Sequence, residues 1–216
     1  MWTRSVVWCE ALWGDLREWG DGSATMTKAG GRTGWQKIAR RVRVPLGFVV
    51  AAVFLVFARP NWHTLAWSLL LVLPGLWLRG YAAGYVKKNA ELTRTGPYAH
   101  TRNPLYLGSM GIVAGFAVAA GRWWLVVLLV GMFLAIYVPT ILSEEDFLHG
   151  QFSEFEEYCR KVPRLWWRWS AARFDGVDAE GGKFSAERYR HHREYNASMG
   201  AVAIYVALTL RMVLWH

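Results

Sequence analysis

Cysteine is nearly missing from this sequence: Cys9 and Cys159 are the only two in 216 residues, far apart and in unrelated surroundings. There is no CxxC and no Cys/His cluster at metal-ligand spacing. Neither a disulfide framework nor a bound metal is therefore expected, and the two thiols read as unpaired. Residues 1–43 contain no apolar core followed by a small-residue cleavage site, so no cleavable signal peptide is expected. Charge is also scarce over long stretches, whereas an ordinary soluble domain interleaves it along the chain. What is abundant is apolar: 54% of residues are hydrophobic and fourteen are Trp. A chain of this length suffices for one domain or for a compact bundle of membrane spans.

The apolar stretches predict an all-α, polytopic membrane helix bundle with about five transmembrane helices. Val44 to Ala58 is uncharged and short for a span, but Arg59 can snorkel and extend it. After the turn Arg59-Pro60-Asn61, Trp62 to Leu78 forms the second span, with Pro74-Gly75 as a kink. Helix is expected to continue past Arg79 through Tyr85, where small residues allow close approach. Lys87 to Pro104 is a polar turn. Leu105 to Gly121 is the third span and carries a GxxxG pair, Gly111 and Gly115. Trp123 to Leu142 is the fourth, with Pro139 near its end. From Ser143 onward Leu148, Phe152, Phe155, Cys159 and Val162 recur at helical spacing, which predicts an amphipathic helix on the bilayer or against the bundle. Arg164 to Trp169 reads as an interfacial anchor, Asp175 to Glu194 as a loop with a helix start, and Tyr195 to Leu210 as the fifth span. The domain reading is a basic N-terminal segment (1–43), a membrane core with a cytosolic amphipathic helix and loop (44–196), and a C-terminal transmembrane helix (197–216).

The basic residues fix an orientation. Residues 1–43 hold eight Lys and Arg, residues 79–104 five and residues 143–196 nine, while the opposite loops hold only Arg59 and Arg122. With five spans the three basic segments share one side, which the positive-inside rule makes cytoplasmic, and His216 faces outward. The net charge of +9 then needs no nucleic-acid partner, and none is expected.

On that shared side two polar segments face each other. Arg102-Asn103-Pro104 opens a helix at the interface: Pro in the first turn loses no needed donor, and the helix N-terminus offers N–H groups to an anion. Tyr98 and Tyr106 add rings and hydroxyls. Glu144 and Glu145 stand where a buried helix leaves the membrane, a costly place for carboxylates without partners. Taken singly, Arg102 reads as a snorkelling topology charge and the Glu pair as a solvated cap; together at this spacing they read as one site. A ligand at once cationic and anionic, with an aromatic base and ribose hydroxyls, suits these groups, and S-adenosylmethionine has all of these.

The run Arg102-Asn103-Pro104-Leu105-Tyr106-Leu107-Gly108, then Glu144-Glu145 with Leu148 and Phe152, then Tyr158 and Val162-Pro163, resembles the isoprenylcysteine carboxyl methyltransferase and phospholipid N-methyltransferase superfamily. These are integral membrane enzymes that use S-adenosylmethionine. The resemblance implies cofactor contacts at Tyr98, Asn103, Pro104, Leu105, Tyr106 and Glu144, with Glu145 in support, and more loosely at Leu92, Thr93 and Ala83. Asn103 stands where the isoprenylcysteine enzymes have His, which is closer to the phospholipid-methylating branch. Thr140 stands where eukaryotic isoprenylcysteine enzymes carry a substrate-binding Arg.

The expected activity is methyl transfer from S-adenosylmethionine, leaving S-adenosylhomocysteine, to a membrane lipid or small lipophilic acceptor. A phospholipid-like amine fits better than a prenylcysteine carboxylate. His100, the only His in the first motif, is the candidate base, and Arg102 and Glu145 complete the catalytic set. Two other classes remain open: an NADPH-dependent membrane reductase of the sterol-reductase type, for which Arg94 and Arg102 are the available phosphate ligands, and a non-enzymatic membrane scaffold.

Overall fold

A computed structural model describes residues 34–86, 92–174, 183–191 and 194–214, with side chains from Leu46 onward except His191. The N-terminal segment to residue 33, Cys9 and His216 lie outside the described residues. Contacts group the chain into two units, Met1–Phe48 and Val49–His216. The candidate site lies wholly within the second.

All regular structure among the described residues is helical: α1 Gly34–Phe57, α2 Trp62–Tyr85, α3 Pro104–Ala119, α4 Trp123–Gln151, α5 Phe155–Lys161, α6 Ala186–His191 and α7 Tyr195–Leu214, with a single 3-10 turn at Gly96–Ala99. Helices α2, α4 and α7 are long and apolar enough to cross a membrane. The apolar stretches of α1 and α3 are shorter, Leu46–Phe57 and Pro104–Ala119. Three of the five expected spans thus have full length and two fall short by that measure.

Helix α2 starts at a reciprocal cap, in which Thr64 N–H donates to Asn61 Oδ1 and Asn61 N–H to Thr64 Oγ1. It continues through Pro74 to Tyr85, as the sequence leads one to expect. The closest helix pairing joins α2 to α3, and glycine makes it possible. A Cβ added at Gly75 would stand 2.7 Å from Gly108 O, one at Gly108 2.7 Å from Gly75 O, and one at Gly115 2.8 Å from Ser68 O. At Gly111 the nearest atom would be 3.4 Å away, an ordinary contact. The GxxxG pair therefore splits: Gly115 lies in the near-contact seam and Gly111 beside it. Phe54, Leu65, Val72, Phe116, Leu125 and Leu208 form one core shared by the end of α1, α2, α3, α4 and α7. Trp77, Leu70 and Val127 point outward, each more than 60% exposed, which suits lipid rather than water.

One expectation is corrected here. The fourth helix does not end at Leu142; α4 runs unbroken through Pro139 and Glu144-Glu145 to Gln151. The break comes at Phe152, whose φ of −126° and ψ of 116° are extended, and α5 starts afresh at Phe155. The amphipathic stretch is thus two helices joined by a corner. Its apolar stripe still converges: Phe155, Tyr158 and Val162 are buried together with Ala172, and Leu148, Phe152, Cys159, Leu92 and Phe174 pack against them.

Packing at the seam sets the first test. Gly115→Ala forces its Cβ against the α2 backbone and is expected to cost about 1–3 kcal/mol, whereas Gly111→Ala falls within about 0.5 kcal/mol of wild type. Thermal unfolding in matched detergent micelles checks this, and equal losses in the two variants would contradict the observed register.

Candidate active site

The site grows from the loop between α2 and α3. Gly96 takes φ +60°, a left-handed conformation that suits glycine, and Pro97 follows it into the 3-10 turn. The ring of Tyr85, at the end of α2, lies where a Gly96 side chain would go. The strap after α5 holds the loop by its backbone. Arg102 N–H donates to Pro163 O at 2.9 Å, Arg168 N–H to His100 O at 3.0 Å and Ala172 N–H to Ala99 O at 3.0 Å. Thr101 Oγ1 donates to Arg164 O at 3.2 Å, and Tyr158 OH to Tyr98 O at 2.8 Å.

Asn103 precedes α3 with Pro104 buried in its first turn, yet its side chain makes no capping bond. The amide instead donates to Glu145 Oε1 at 3.3 Å and to Arg164 O at 3.2 Å. Arg102 Nη1 lies 3.3 Å from the same Glu145 oxygen, while Arg164 donates Nε and Nη2 to Oε2 at 2.9 and 2.6 Å. Glu145 is 8% exposed and both its oxygens are occupied by cations and an amide. A buried carboxylate needs such partners. Its neighbour Glu144 is exposed and accepts from Tyr106 OH at 2.6 Å. The two carboxylates thus differ in kind: Glu145 faces inward onto structural cations, and Glu144 stands at the open face.

Around them the environment favours neutral hydroxyls and thiol. Burial raises Tyr98 well above its ordinary value, and the carboxylates of Glu144 and Glu194 add to this while Arg79 opposes it. Tyr158 is likewise raised by burial. Cys159 is raised by burial despite Arg102 Nη1 donating to its sulfur at 2.6 Å, so it stays a thiol. The Arg164 guanidinium is raised by its bonds to Glu145. Among the described residues, Arg102 Nε and Arg94 Nε are buried without a hydrogen-bond partner.

The structure brings Arg102, Asn103 and Glu145 together, and Tyr106 to Glu144. Tyr98 feels both Glu144 and the Arg79–Glu194 pair. His100 is held from the strap: its Nδ1 lies 2.6 Å from Arg168 O and its ring stacks on Trp167 at 4.6 Å. Because a carbonyl only accepts, Nδ1 carries the proton and Nε2 is the basic nitrogen of the neutral ring. Leu105 and Thr93 are half-buried, Leu92 packs under the strap, and Ala83 is buried near the end of α2.

Three contributors escaped the sequence reading. Arg164 looked like an anchor charge, but its spacing from Glu145 lets the strap fold back onto it. Tyr137 meets Tyr106 edge-on at 5.5 Å and stacks on Phe133 at 4.3 Å; its position seven residues before Glu144, two helical turns along the same face, was the available signal. Arg79 bonds Glu194 at 2.9 Å and also Ser109, tying α2 to α3 and to the start of α7. Nothing in the sequence spacing links those three residues. Among the described residues no three His, Cys, Asp or Glu side chains gather to hold a metal.

Removing the charge of Glu145 strands Arg102 in a buried position. Glu145→Gln is expected to lose about 3 kcal/mol of stability, as broken buried pairs do, while Glu144→Gln, at the open face, changes stability by less than about 1 kcal/mol. Chemical denaturation in micelles separates the two, and equal losses would contradict the division between them.

Part of the chain is similar to known proteins. Residues 64–154, which run from the cap of α2 to the corner after α4, match the phospholipid methyltransferase family. The nickel-cobalt-cadmium resistance protein NccN of Alcaligenes xylosoxydans xylosoxydans is 34% identical over 102 residues, 47% of this chain and 47% of that protein. The cobalt-zinc-cadmium resistance protein CzcN of Cupriavidus metallidurans is 31% identical over 142 residues, 61% of this chain and 64% of that protein. The matched region thus spans about half the length of the first relative and under two thirds of the second. No solved structure matches. The segment that carries Asn103, Tyr106 and the Glu pair thus lies within the residues that are similar to the phospholipid methyltransferase family.

Proposed function

We propose that this chain is an integral membrane methyltransferase that uses S-adenosylmethionine to methylate a lipidic or small lipophilic acceptor, with the reacting face on the cytoplasmic side. The observation that carries this is the Tyr106–Glu144 pair standing at an open face beside the closed Glu145 cluster, inside the family segment. The donor set fits the cofactor: Glu144 offers acceptors to hydroxyls or an ammonium, Tyr98 and Tyr106 offer rings, and the partnerless Arg102 Nε offers a donor to a carboxylate. In this reading Tyr98, Asn103, Pro104, Leu105, Tyr106 and Glu144 hold it, and Leu92, Thr93 and Ala83 shape the surround. When bound, S-adenosylmethionine supplies a sulfonium methyl open to in-line attack.

The chain's own part is alignment and exclusion of water. Arg102 and Glu145 hold the loop in place, a positioning role. His100, with Nδ1 committed to the strap, keeps Nε2 to accept the proton an amine must lose. Thr140 donates its hydroxyl to Ile136 O at 2.7 Å and offers no cation to an acceptor carboxylate, which supports an amine of the phospholipid kind. For the NADPH reading the available cations are Arg94, already paired with Glu154 at 3.2 Å, and Arg102, already paired with Glu145 at 3.3 Å.

Titration calorimetry with S-adenosylhomocysteine tests the reading. Glu144→Gln and Tyr106→Ala are each expected to weaken binding at least tenfold with thermal stability retained, and wild-type affinity in both variants would sink it.

The names of the two relatives favour a second, physiological reading, a contribution to tolerance of divalent transition metals through methylation of a membrane component. Growth of a strain lacking the protein on nickel or cobalt is expected to be restored by the wild-type chain and not by Glu144→Gln. Equal rescue by both would separate tolerance from the methyltransferase site.

A further inference from the structure

Residues 183–214 lie beyond the family segment, and they build one wall of a cavity. It has a volume of about 520 Å³ and opens between α2 and α7. Trp77, Gly80 and Tyr81 supply the α2 wall, Phe184, Tyr189 and Ser198 the other, and among the described residues no Lys, Arg, Asp or Glu lines it. Its rings present flat faces: Trp77 stacks on Tyr81 at 5.1 Å and 8°, and Tyr81 on Phe184 at 6.3 Å and 10°. Gly80 lets the Tyr189 ring come close to α2, since a Cβ there would stand 3.2 Å from that ring.

Polar links fasten the outer wall at one edge. Ser185 N–H donates to Gly84 O at 3.0 Å and Arg188 Nη1 to Tyr85 O at 3.1 Å, which together satisfy two of the last carbonyls of α2. Arg79 meets Glu194 at 2.9 Å and reaches Ser109 on α3, one turn from Tyr106. The other side of the cavity is apolar. It lies between two helices of membrane-crossing length, beside Trp77, Met199 and Val202, each more than 60% exposed. One edge therefore carries the Arg79–Glu194 pair, which also acts on Tyr98, and the other is apolar. A cavity of this size holds a drug-sized apolar body.

We propose that this cleft is the acceptor's seat, taking an uncharged, lipid-soluble chain or ring system with its polar end at the Arg79–Glu194 edge. The inference rests on the methyltransferase reading for the word acceptor, and on the cavity itself for the ligand class. Aromatic faces without a charged group fit an apolar body and reject an ionic one. Opening between apolar helices admits a molecule already dissolved in the bilayer. Two sources share that chemistry, the acyl chain of a phospholipid and a free isoprenoid.

The full chain in lipid nanodiscs, photolabelled in one arm with diazirine-bearing phosphatidylethanolamine and in the other with diazirine-bearing farnesol, tests this by mass spectrometry of the labelled peptides. Labels are expected on Tyr81 and Tyr189 in at least one arm, and the arm that labels names the source. Ser198→Trp, which fills the cleft, is expected to reduce them at least fivefold, and Ser198→Leu by an intermediate amount that remains readable if the larger variant misfolds. Cofactor affinity, measured alongside with S-adenosylhomocysteine, is expected to stay at the wild-type value in both. Labelling unchanged by the Ser198 variants, labels confined to Val202 and Leu73 on the outer surface, or no labelling in either arm would overturn the cleft. A wild-type chain that binds no S-adenosylhomocysteine but keeps Ser198-dependent labelling would instead overturn the methyltransferase reading and leave the cleft standing.

Discussion

Glu145 is the constraint that the site is built to satisfy. A carboxylate carried on the end of a long apolar helix and buried there costs several kcal/mol unless cations and donors reach it. Arg102 and Asn103 come from the loop before α3 and Arg164 from the strap after α5. Neither segment alone supplies both oxygens with partners, so the two returns must close over the helix end together. The backbone bonds from Arg102, Arg168 and Ala172 then follow from that closure. Asn103 illustrates the trade: its amide is drawn to Glu145 and Arg164, and α3 begins without a side-chain cap.

Closure has a second requirement, that α3 start in the right place relative to α4. The α2–α3 seam provides it. Gly75, Gly108 and Gly115 let the two backbones touch, and Arg79, pressed against Gly108, extends along that seam to Ser109 and Glu194. Small residues between helices and a shared guanidinium at the interface thus connect the membrane packing to the polar face. The family segment ends at Glu154, while the partners Arg164 and Glu194 lie after it. The polar cluster is therefore completed by residues outside the matched segment.

Much of this was legible in the sequence. Uninterrupted apolar runs gave the helices, because in lipid the hydrophobic length is itself the signal. The motif around Asn103 and the Glu pair marked the polar cluster that the structure brings together, since carboxylates at the end of a buried helix are costly without partners. The corner at Phe152 was not legible. Leu148, Phe152, Phe155, Cys159 and Val162 keep helical spacing across it, and an apolar stripe reports which face is buried, not whether the backbone bends on the way. Nor could spacing separate the two glutamates: adjacent residues on a helix point about 100° apart, and which one meets Arg164 depends on a strap that folds back from nineteen residues later. The Arg79–Glu194 link spans 115 positions and leaves no local trace at all.

Helix α4 has 29 residues and carries both carboxylates near its end. At 1.5 Å per residue it is roughly 43 Å long, well beyond a hydrocarbon layer of about 30 Å. A rod that overhangs the bilayer by that much transmits any change of tilt to its tip. Thinning or thickening the surrounding lipid would therefore swing Glu144 and Glu145 as a single lever against the loop and strap that grip them.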